Sequence, residues 1–245
     1  MRELFDPDRL FDMTKSIAAP IFEGVSYPWE VLPEIGAFVV RLGQSLSEEE
    51  YERAGKDVWI ARDATVAPTA SITGPAIIDH GAEIRHCAFI RGKAIIGKNC
   101  VVGNSVEVKN AILFDNAQVP HFNYVGDSVL GYRAHMGAGA VTSNVKSDKS
   151  LVTVRTDDRV IATNLRKFGA MLGDYAEIGC NSVLCPGAVI GRTGQPERRH
   201  DRRSALLGRL LLARRQHLHP VRHRAHPHAR LLGRPAVVRS GALRS

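Results

Sequence analysis

Aliphatic or aromatic residues recur at every sixth position through ten successive repeats of this 245-residue chain. The ten are Ile60, Val66, Ile72, Ile78, Ile84, Ile90, Ile96, Val102, Val108 and Phe114. An interval of six fits neither the face of a helix nor the alternation of a strand, but it is typical of stacked repeat architectures. It predicts a three-sided column in which each repeat forms one side. Residues eighteen positions apart would then stack at the strand spacing of about 4.8 Å.

The repeat is interrupted twice. It restarts two residues early at Tyr124, Leu130 and Met136, which predicts an irregular wall between about residues 115 and 123. It stops again after Val141, so residues 142–171 are predicted to leave the column as an excursion. Within the excursion, apolar runs at 151–154 and 160–163 flank a polar stretch and predict a hairpin. Function is expected at these interruptions, because loops carry chemistry that a rigid scaffold positions.

The composition divides the chain into three predicted parts. Residues 1–57 lack the repeat and are predicted to form a short helical segment, with Phe22 and Trp29 covering the bottom of the column. Residues 58–192 form the repeat domain. Residues 193–245 form a basic tail, which holds thirteen Arg, six of the ten His and two acidic residues from position 196 onward. The net charge of +8 therefore comes from the tail, and the remainder of the chain is mildly acidic.

Two interpretations of the tail remain open. Its composition is what GC-rich codons give in the wrong reading frame, and the repeat stops at the same point, which favours a frameshift near residue 193 and a disordered end. The alternative is a basic segment that binds nucleic acid without specificity. The tail has no aromatic residues to stack on bases, so we do not expect nucleic acid as a designed partner.

The cysteines and the hydropathy pattern indicate the cellular compartment in which the protein is expected. The four cysteines form no Cys-x-x-Cys pair, and Cys100 occupies an inward small position, which predicts a buried thiol in a reduced, cytoplasmic protein. No long apolar run and no leader-like start are present in the sequence, so neither a membrane span nor a secretory signal is expected. We expect no designed metal site.

Ionisable side chains gather around the first interruption. Arg91 and Lys109 are eighteen residues apart, so both are predicted to project from one side of the column on adjacent coils, an arrangement that suits a phosphate dianion. His121 is a candidate general base near neutral pH, and Glu107 is a candidate partner for its second ring nitrogen. Tyr124 adds a phenol to the same stretch.

The motifs from Val102 to Asn144 resemble a known family. His-x-x-Tyr-aliphatic-Gly-Asp at 121–127 and Gly-Ala-Gly at 137–139, followed by Asn144, are similar to the acetyltransferase domain of the bifunctional N-acetylglucosamine-1-phosphate uridyltransferase/glucosamine-1-phosphate acetyltransferases. The resemblance covers about residues 58–192. It implies an all-β fold, a left-handed parallel β-helix of hexapeptide repeats, here with a short α-helical N-terminal segment. Residues 1–57 are too short for a nucleotide-binding domain, so the uridyltransferase half is not expected.

The resemblance also implies roles for individual residues. His121 would take the proton from the sugar amine, with Glu107 nearby. Arg91, Lys109 and Tyr124 would hold the sugar phosphate. Sugar contacts would come from Asn144 and from His135, which stands where the family has an Asn. The groove for acetyl-CoA, the co-substrate, would include the backbone at Ala138 and also Cys180, where the family has a Ser.

The resulting prediction is an acyl-CoA-dependent N-acetyltransferase. Its acceptor would be an amino-sugar phosphate similar to glucosamine-1-phosphate, in UDP-N-acetylglucosamine and cell-envelope precursor synthesis. The family implies a homotrimer with sites between subunits. Two alternatives stay open: a non-catalytic solenoid that binds a sugar phosphate for regulation, and a metal-dependent lyase of the γ-carbonic-anhydrase kind.

Overall fold

The chain forms a three-sided β-solenoid in a computed structural model that describes residues 5–156 and 159–193. Apart from Thr193, the predictions for the tail at 193–245 lie outside the described residues. None of the helices in the described part of the chain is both long and apolar enough to cross a bilayer.

Short parallel strands build the three sides, and each strand pairs with the strand one coil further along. Side 1 contains Val58–Ala61, Ala76–Ile78, Ala94–Ile96, Ala170–Leu172 and Ala188–Ile190. Side 2 contains Thr65–Val66, Glu83–Ile84, Val101–Asn104, Gln118–His121, His135–Met136 and Glu177–Ile178. Side 3 contains Ser71–Ile72, Phe89–Ile90, Val141–Thr142 and Val183–Leu184. Two longer strands, Glu107–Leu113 and Tyr124–Leu130, run through the corner from side 3 into side 1.

Inward aliphatic side chains fill the column and are almost completely buried. The stack on side 1 is Ile60, Ile78, Ile96, Leu113, Leu130, Leu172 and Ile190. Cys100 is fully buried among these residues, as its position in the repeat predicts. Each buried aliphatic side chain contributes about 1.5–3 kcal/mol before the loss of chain entropy is subtracted. The predicted parallel β-helix of hexapeptide repeats is therefore confirmed, while its left-handed sense stays a prediction.

The structure corrects the predicted register after Val108. Leu113 and Val125 point into the column, whereas the six-residue count assigned those places to Phe114 and Tyr124. The reason is that two coils hold seventeen residues instead of eighteen, since Ala111 pairs with Ala94 below it and with Ser128 above it. The predicted irregular wall at 115–123 is wrong, because this stretch keeps regular spacing between two shortened corners.

The shortened corners lie at Asn110 and Asp127, between side 3 and side 1. One coil earlier this corner turns through two residues of positive φ, Gly92 (87°) and Lys93 (52°). Asn110 and Asp127 turn it with a single residue each, at φ values of 48° and 49°. Asn and Asp tolerate this left-handed conformation better than most residues, because their short polar side chains bond locally. Each of the two omissions moves all later inward positions one residue earlier in the sequence.

The N-terminal segment covers the outer face of side 1. It contains the α-helices Pro7–Leu10 and Ile35–Gln44 and the 3-10 turns Met13–Lys15, Ala19–Phe22 and Pro28–Val31, and then the strand Tyr51–Gly55 pairs antiparallel with Val58–Ala61. Phe22 contacts Phe114 at a ring-centroid distance of 5.9 Å, and Trp29 contacts Phe168 at 5.7 Å. Phe22 and Trp29 therefore form a second core against the flank of the column, and their predicted position at its bottom is wrong.

The excursion leaves the column after Thr142 and returns at Ala170. It contains an antiparallel hairpin formed by Thr153–Arg155 and Val160–Ala162, which confirms the hairpin predicted there. Its buried Val154 and Phe168 join the second core beside the N-terminal segment. The excursion emerges at the same corner as Asn110 and Asp127, so an insertion and two shortened turns share one edge of the column.

A test of the fold concerns Asp115, which follows side 1 at its corner with side 2. Burial is the main cause of a raised pKa at the Asp115 carboxyl, and the charge of the buried Asp79 raises this pKa further. The backbone N–H of Lys98 donates to Asp115 Oδ1 (3.0 Å), which lowers the pKa but does not cancel the rise. Ionised Asp115 therefore destabilises the fold at pH values above its raised pKa, and the penalty disappears as the pH falls through the unfolded-state pKa of about 3.9. We expect Asp115→Asn, which keeps an acceptor for Lys98, to raise Tm at about pH 7 and to leave it unchanged at about pH 3. Thermal unfolding followed by circular dichroism measures both, and a lower Tm at neutral pH would contradict the prediction.

Candidate active site

The outer face of side 3 carries most of the predicted acceptor-binding residues. Glu107 lies directly opposite Tyr124 in the parallel ladder, and Lys109 lies opposite Gly126. The backbone N–H of Arg91 donates to the Val108 carbonyl (2.8 Å). Arg91 therefore lies beside Lys109, one coil earlier in the column. The side chains of alternate residues share a face of a strand, so Glu107 and Lys109 both project outward.

Each of the two cations on this face has a carboxylate partner. Arg91 Nη1 lies 2.5 Å from Glu107 Oε1, and Lys109 Nζ lies 3.7 Å from Asp127 Oδ2. The hydrogen bond from Arg91 to Glu107 raises the pKa of the guanidinium. The Arg91–Glu107 pair is partly exposed, so it contributes little to stability, and a ligand can rearrange it at low cost.

Tyr124 and Asn144 extend this group toward the excursion. Asn144 Nδ2 donates to the Tyr124 hydroxyl (3.2 Å) and to Asp127 Oδ2 (2.5 Å). Burial raises the pKa of the Tyr124 phenol, and the charges of Asp127 and Glu107 raise it further. Tyr124 therefore remains a neutral phenol near pH 7 and can donate a hydrogen bond to an anionic ligand.

His121 lies at the next corner, between side 2 and side 3. Its backbone carbonyl accepts from the Gly139 N–H (3.0 Å), and the Ala138 carbonyl accepts from the Asn181 N–H (2.8 Å). His121, Ala138 and Cys180 consequently occupy the same corner on consecutive coils. The candidate base and the residues assigned to the acetyl-CoA groove thus form one continuous edge, which borders the side 3 face.

Buried Asn123 fixes the backbone at this corner. Its Oδ1 accepts from the His121 N–H (3.2 Å), and its Nδ2 donates to the carbonyls of Gly137 (2.8 Å) and Ala140 (3.0 Å). Its side chain is 2% exposed, whereas His121 is exposed to solvent. Asn123 holds the His121 loop against the coil above, so a solvent-facing imidazole stands on a rigid support.

Two of the predicted site residues do not make their predicted contacts within the part of the single chain that the structure describes. Glu107 contacts Arg91, and no hydrogen bond between it and the His121 ring is present in the described residues. His135 lies on side 2, where its Nδ1 is 2.8 Å from Glu177 Oε2. The structure therefore brings together Arg91, Lys109, Tyr124 and Asn144, but it places His135 on a different side of the column.

Sequence reasoning gave Asn110 no role and named Asp127 only as the last residue of the motif at 121–127. Asp127 Oδ1 accepts from Asn110 Nδ2 (2.8 Å), and Asn110 Nδ2 also donates to the Leu32 carbonyl (3.1 Å). The available signal was the two-residue deficit of the repeat, which lies at these two corners. Within residues 5–156 and 159–193, no group of three or more His, Cys, Asp or Glu side chains is arranged to hold a metal ion.

Comparison with known proteins shows similarity to sugar nucleotidylyltransferases that carry an acetyltransferase. The profile of the GMPPB C-terminal domain matches residues 72–168. A bifunctional sugar-1-phosphate nucleotidylyltransferase/acetyltransferase of Sulfurisphaera tokodaii is 34% identical over 79 residues, which are 32% of this chain and 20% of that protein. The bifunctional protein GlmU of Methanococcus aeolicus is 37% identical over 79 residues, 32% of this chain and 19% of that protein.

One further relative is shorter. A putative uncharacterized acetyltransferase of Escherichia coli, YaiX, is 35% identical over 72 residues, 29% of this chain and 31% of that protein. Among solved structures, the acetyltransferase domain of PglB from Neisseria gonorrhoeae in complex with acetyl coenzyme A is 15% identical, with a TM-score of 0.31 over 55% of this chain and 54% of that one. The matched region spans about a fifth of the length of the bifunctional relatives. The chain is therefore a hexapeptide-repeat β-solenoid, and a stretch of 79 of its residues is similar to part of the bifunctional sugar-1-phosphate nucleotidylyltransferase/acetyltransferases.

Proposed function

We propose that this protein is an acyl-CoA-dependent N-acetyltransferase that acts on an amino-sugar phosphate similar to glucosamine-1-phosphate. The observation that carries the proposal is one continuous edge of the column. The solvent-facing imidazole of His121 shares a corner with Ala138 and Cys180, and this corner borders the side 3 face that carries Arg91 and Lys109. Such an edge can hold an acyl donor and a phosphorylated acceptor on either side of a base.

The reaction is the transfer of an acetyl group from sulfur to nitrogen. The neutral amine of the acceptor attacks the thioester carbonyl carbon, and the C–S bond breaks as the C–N bond forms. His121 accepts the proton that the amine loses, and the CoA thiolate leaves and takes up a proton. A positioned general base typically contributes 10²–10⁴-fold to such a step.

The acceptor phosphate is proposed to bind on side 3. Arg91 has five N–H donors, and Glu107 occupies one direction of the guanidinium, so the others remain available for phosphate oxygens. Lys109 and the neutral Tyr124 phenol supply further donors on the adjacent coils. Because the two cations are balanced by Glu107 and Asp127, this face supplies directed hydrogen bonds more than net charge. That arrangement favours orientation of the acceptor, which is a positioning effect.

We further propose that the protein acts as a homotrimer in the cytoplasm. A single chain places His135 on side 2 and Tyr124 on side 3, so a neighbouring copy is needed to bring these residues to one acceptor. Phe89 and Val183 are 40% and 62% exposed on side 3, and an interface would cover them. The place of the reaction in UDP-N-acetylglucosamine synthesis belongs to the same proposal.

The test is release of free thiol from acetyl-CoA in the presence of candidate acceptors. We expect release with glucosamine-1-phosphate, together with a mass gain of one acetyl group on the sugar. Glucosamine without phosphate should react much more slowly, and N-acetylglucosamine-1-phosphate should not react. Binding of amino-sugar phosphates without thiol release would contradict the proposal and favour the regulatory solenoid.

A further inference from the structure

Asp127 contacts three other side chains at the candidate site, although it would not itself face a ligand. It is 5% exposed at the corner between side 3 and side 1. Its Oδ1 accepts from Asn110 Nδ2 (2.8 Å), and its Oδ2 accepts from Asn144 Nδ2 (2.5 Å) and lies 3.7 Å from Lys109 Nζ. One buried carboxylate therefore fixes two of the proposed acceptor-binding side chains.

Asp127 is also connected, through its side chain and its backbone, to the two segments that the hexapeptide repeat does not include. The Asp127 carbonyl accepts from the Gly169 N–H (2.8 Å), where the excursion ends, and Asn144 lies near the start of the excursion. Asn110 links Asp127 to the N-terminal segment through the Leu32 carbonyl (3.1 Å). The N-terminal segment and the excursion thus converge on a single residue behind the acceptor face.

Resting on the function proposed above, we propose that Asp127 is a positioning residue through which the N-terminal segment and the excursion set the affinity for the acceptor. Asp127 holds the Lys109 ammonium and the Asn144 amide in one arrangement. A buried carboxylate that loses a partner incurs a desolvation cost, so the arrangement is held only while both segments are docked. Loosening either segment should weaken acceptor binding and leave the acetyl-CoA edge unaffected.

The decisive variant is Asp127→Asn, which keeps the size of the side chain and its tolerance of positive φ. Both carboxylate oxygens accept from amide nitrogens, so either orientation of the new amide places an NH₂ group against Asn110 or Asn144. The matched control is Asp115→Asn, the same change at a different corner. A second variant, Asn110→Gly, removes only the link to Leu32 and Asp127, and Asn116→Gly (native φ 62°) is its control.

Two measurements are made on the full chain. Hydrogen exchange read by mass spectrometry reports docking of residues 29–34 and 143–169, and steady-state kinetics reports KM for glucosamine-1-phosphate and for acetyl-CoA separately. For Asp127→Asn we expect faster exchange in the excursion and a rise in acceptor KM of about tenfold or more, with KM for acetyl-CoA within about twofold. Asn110→Gly should give a smaller change in the same direction, led by exchange at 29–34. Both controls should keep the parent's KM values and should not exchange faster than the parent in either segment.

The outcomes separate this proposal from the proposed function. An unchanged acceptor KM in Asp127→Asn would overturn it, as would an equal rise in both KM values, because that pattern indicates a purely structural residue. If Asp127→Asn does not fold, Asn110→Gly decides by the same criteria. If the parent chain turns over no amino-sugar phosphate, the proposed function fails. In that case, exchange at the parent rate in both variants would also overturn the coupling by Asp127.

Discussion

His121→Ala is expected to lower kcat for acetyl transfer by about 10²–10⁴-fold while the protein stays folded. The reason is that the amine must lose a proton as it attacks the thioester, and the side 2–side 3 corner offers His121 for this purpose. The side chain is exposed and its backbone is held by Asn123, so its removal leaves the core untouched. Thiol release under saturating acceptor and acetyl-CoA measures the effect, and circular dichroism reports the fold.

The matched control is His86→Ala. His86 lies on the same corner two coils earlier, where its carbonyl accepts from Asn104 Nδ2 (3.1 Å) and its ring contacts the Thr69 hydroxyl (2.6 Å). We expect activity within about twofold of the parent, because this imidazole lies outside the proposed site. Full activity in His121→Ala, or an equal loss in both variants, would refute the role of His121 as the base.

Gly103→Ala is expected to destabilise the fold by about 3 kcal/mol. Gly103 lies on side 2, and a methyl group there would overlap the backbone carbonyl of Pro120 in the coil above. Because the obstacle is backbone, a change of rotamer cannot relieve the overlap, and the two coils must separate. Adjacent coils are joined by ladder hydrogen bonds, so the separation weakens several of them together.

The control for this prediction is Gly179→Ala, at the equivalent place on side 2 two coils above Pro120. There the nearest atom to an added Cβ is Ser182 Oγ at 3.7 Å, an ordinary contact, so we expect a change within about 0.5 kcal/mol. Urea unfolding monitored by circular dichroism measures both variants. Equal stability of the two would show that the coil spacing at Gly103 is not limiting.

Much of the scaffold could be predicted because the repeat is a local signal. Every sixth residue from Ile60 to Val108 points into the column, and the hairpin in the excursion follows from two apolar runs. The count failed at Phe114 and Tyr124 because it distributed a deficit of two residues over a loop. The structure removes one residue at each of two corners, and a corner conformation depends on φ, which hydropathy does not encode.

Only part of the candidate site could likewise be predicted from the sequence. The spacing of Arg91 and Lys109 predicted their relation on adjacent coils, and the motif from His121 to Asp127 suggested His121 as a candidate base and Tyr124 as a candidate donor. The carboxylate partners of both cations were not predicted, and neither was Asp127 as a common support. The ion pairs of these cations join residues 16–18 positions apart, and the bond from Asn110 to Leu32 spans 78 positions. Pattern counting has no information about which side chains meet at that range.

The sequence by itself determined that the chain coils into a column and which residues form one wall of it, because periodic burial is written into successive residues. Only the tertiary structure decided that the N-terminal segment packs along the flank, that the coil shortens at Asn110 and Asp127, and that Asp127 contacts both Lys109 and Asn144. The physical reason is that these features depend on backbone conformation at single corners and on contacts between distant segments. Both arise only when the whole chain packs.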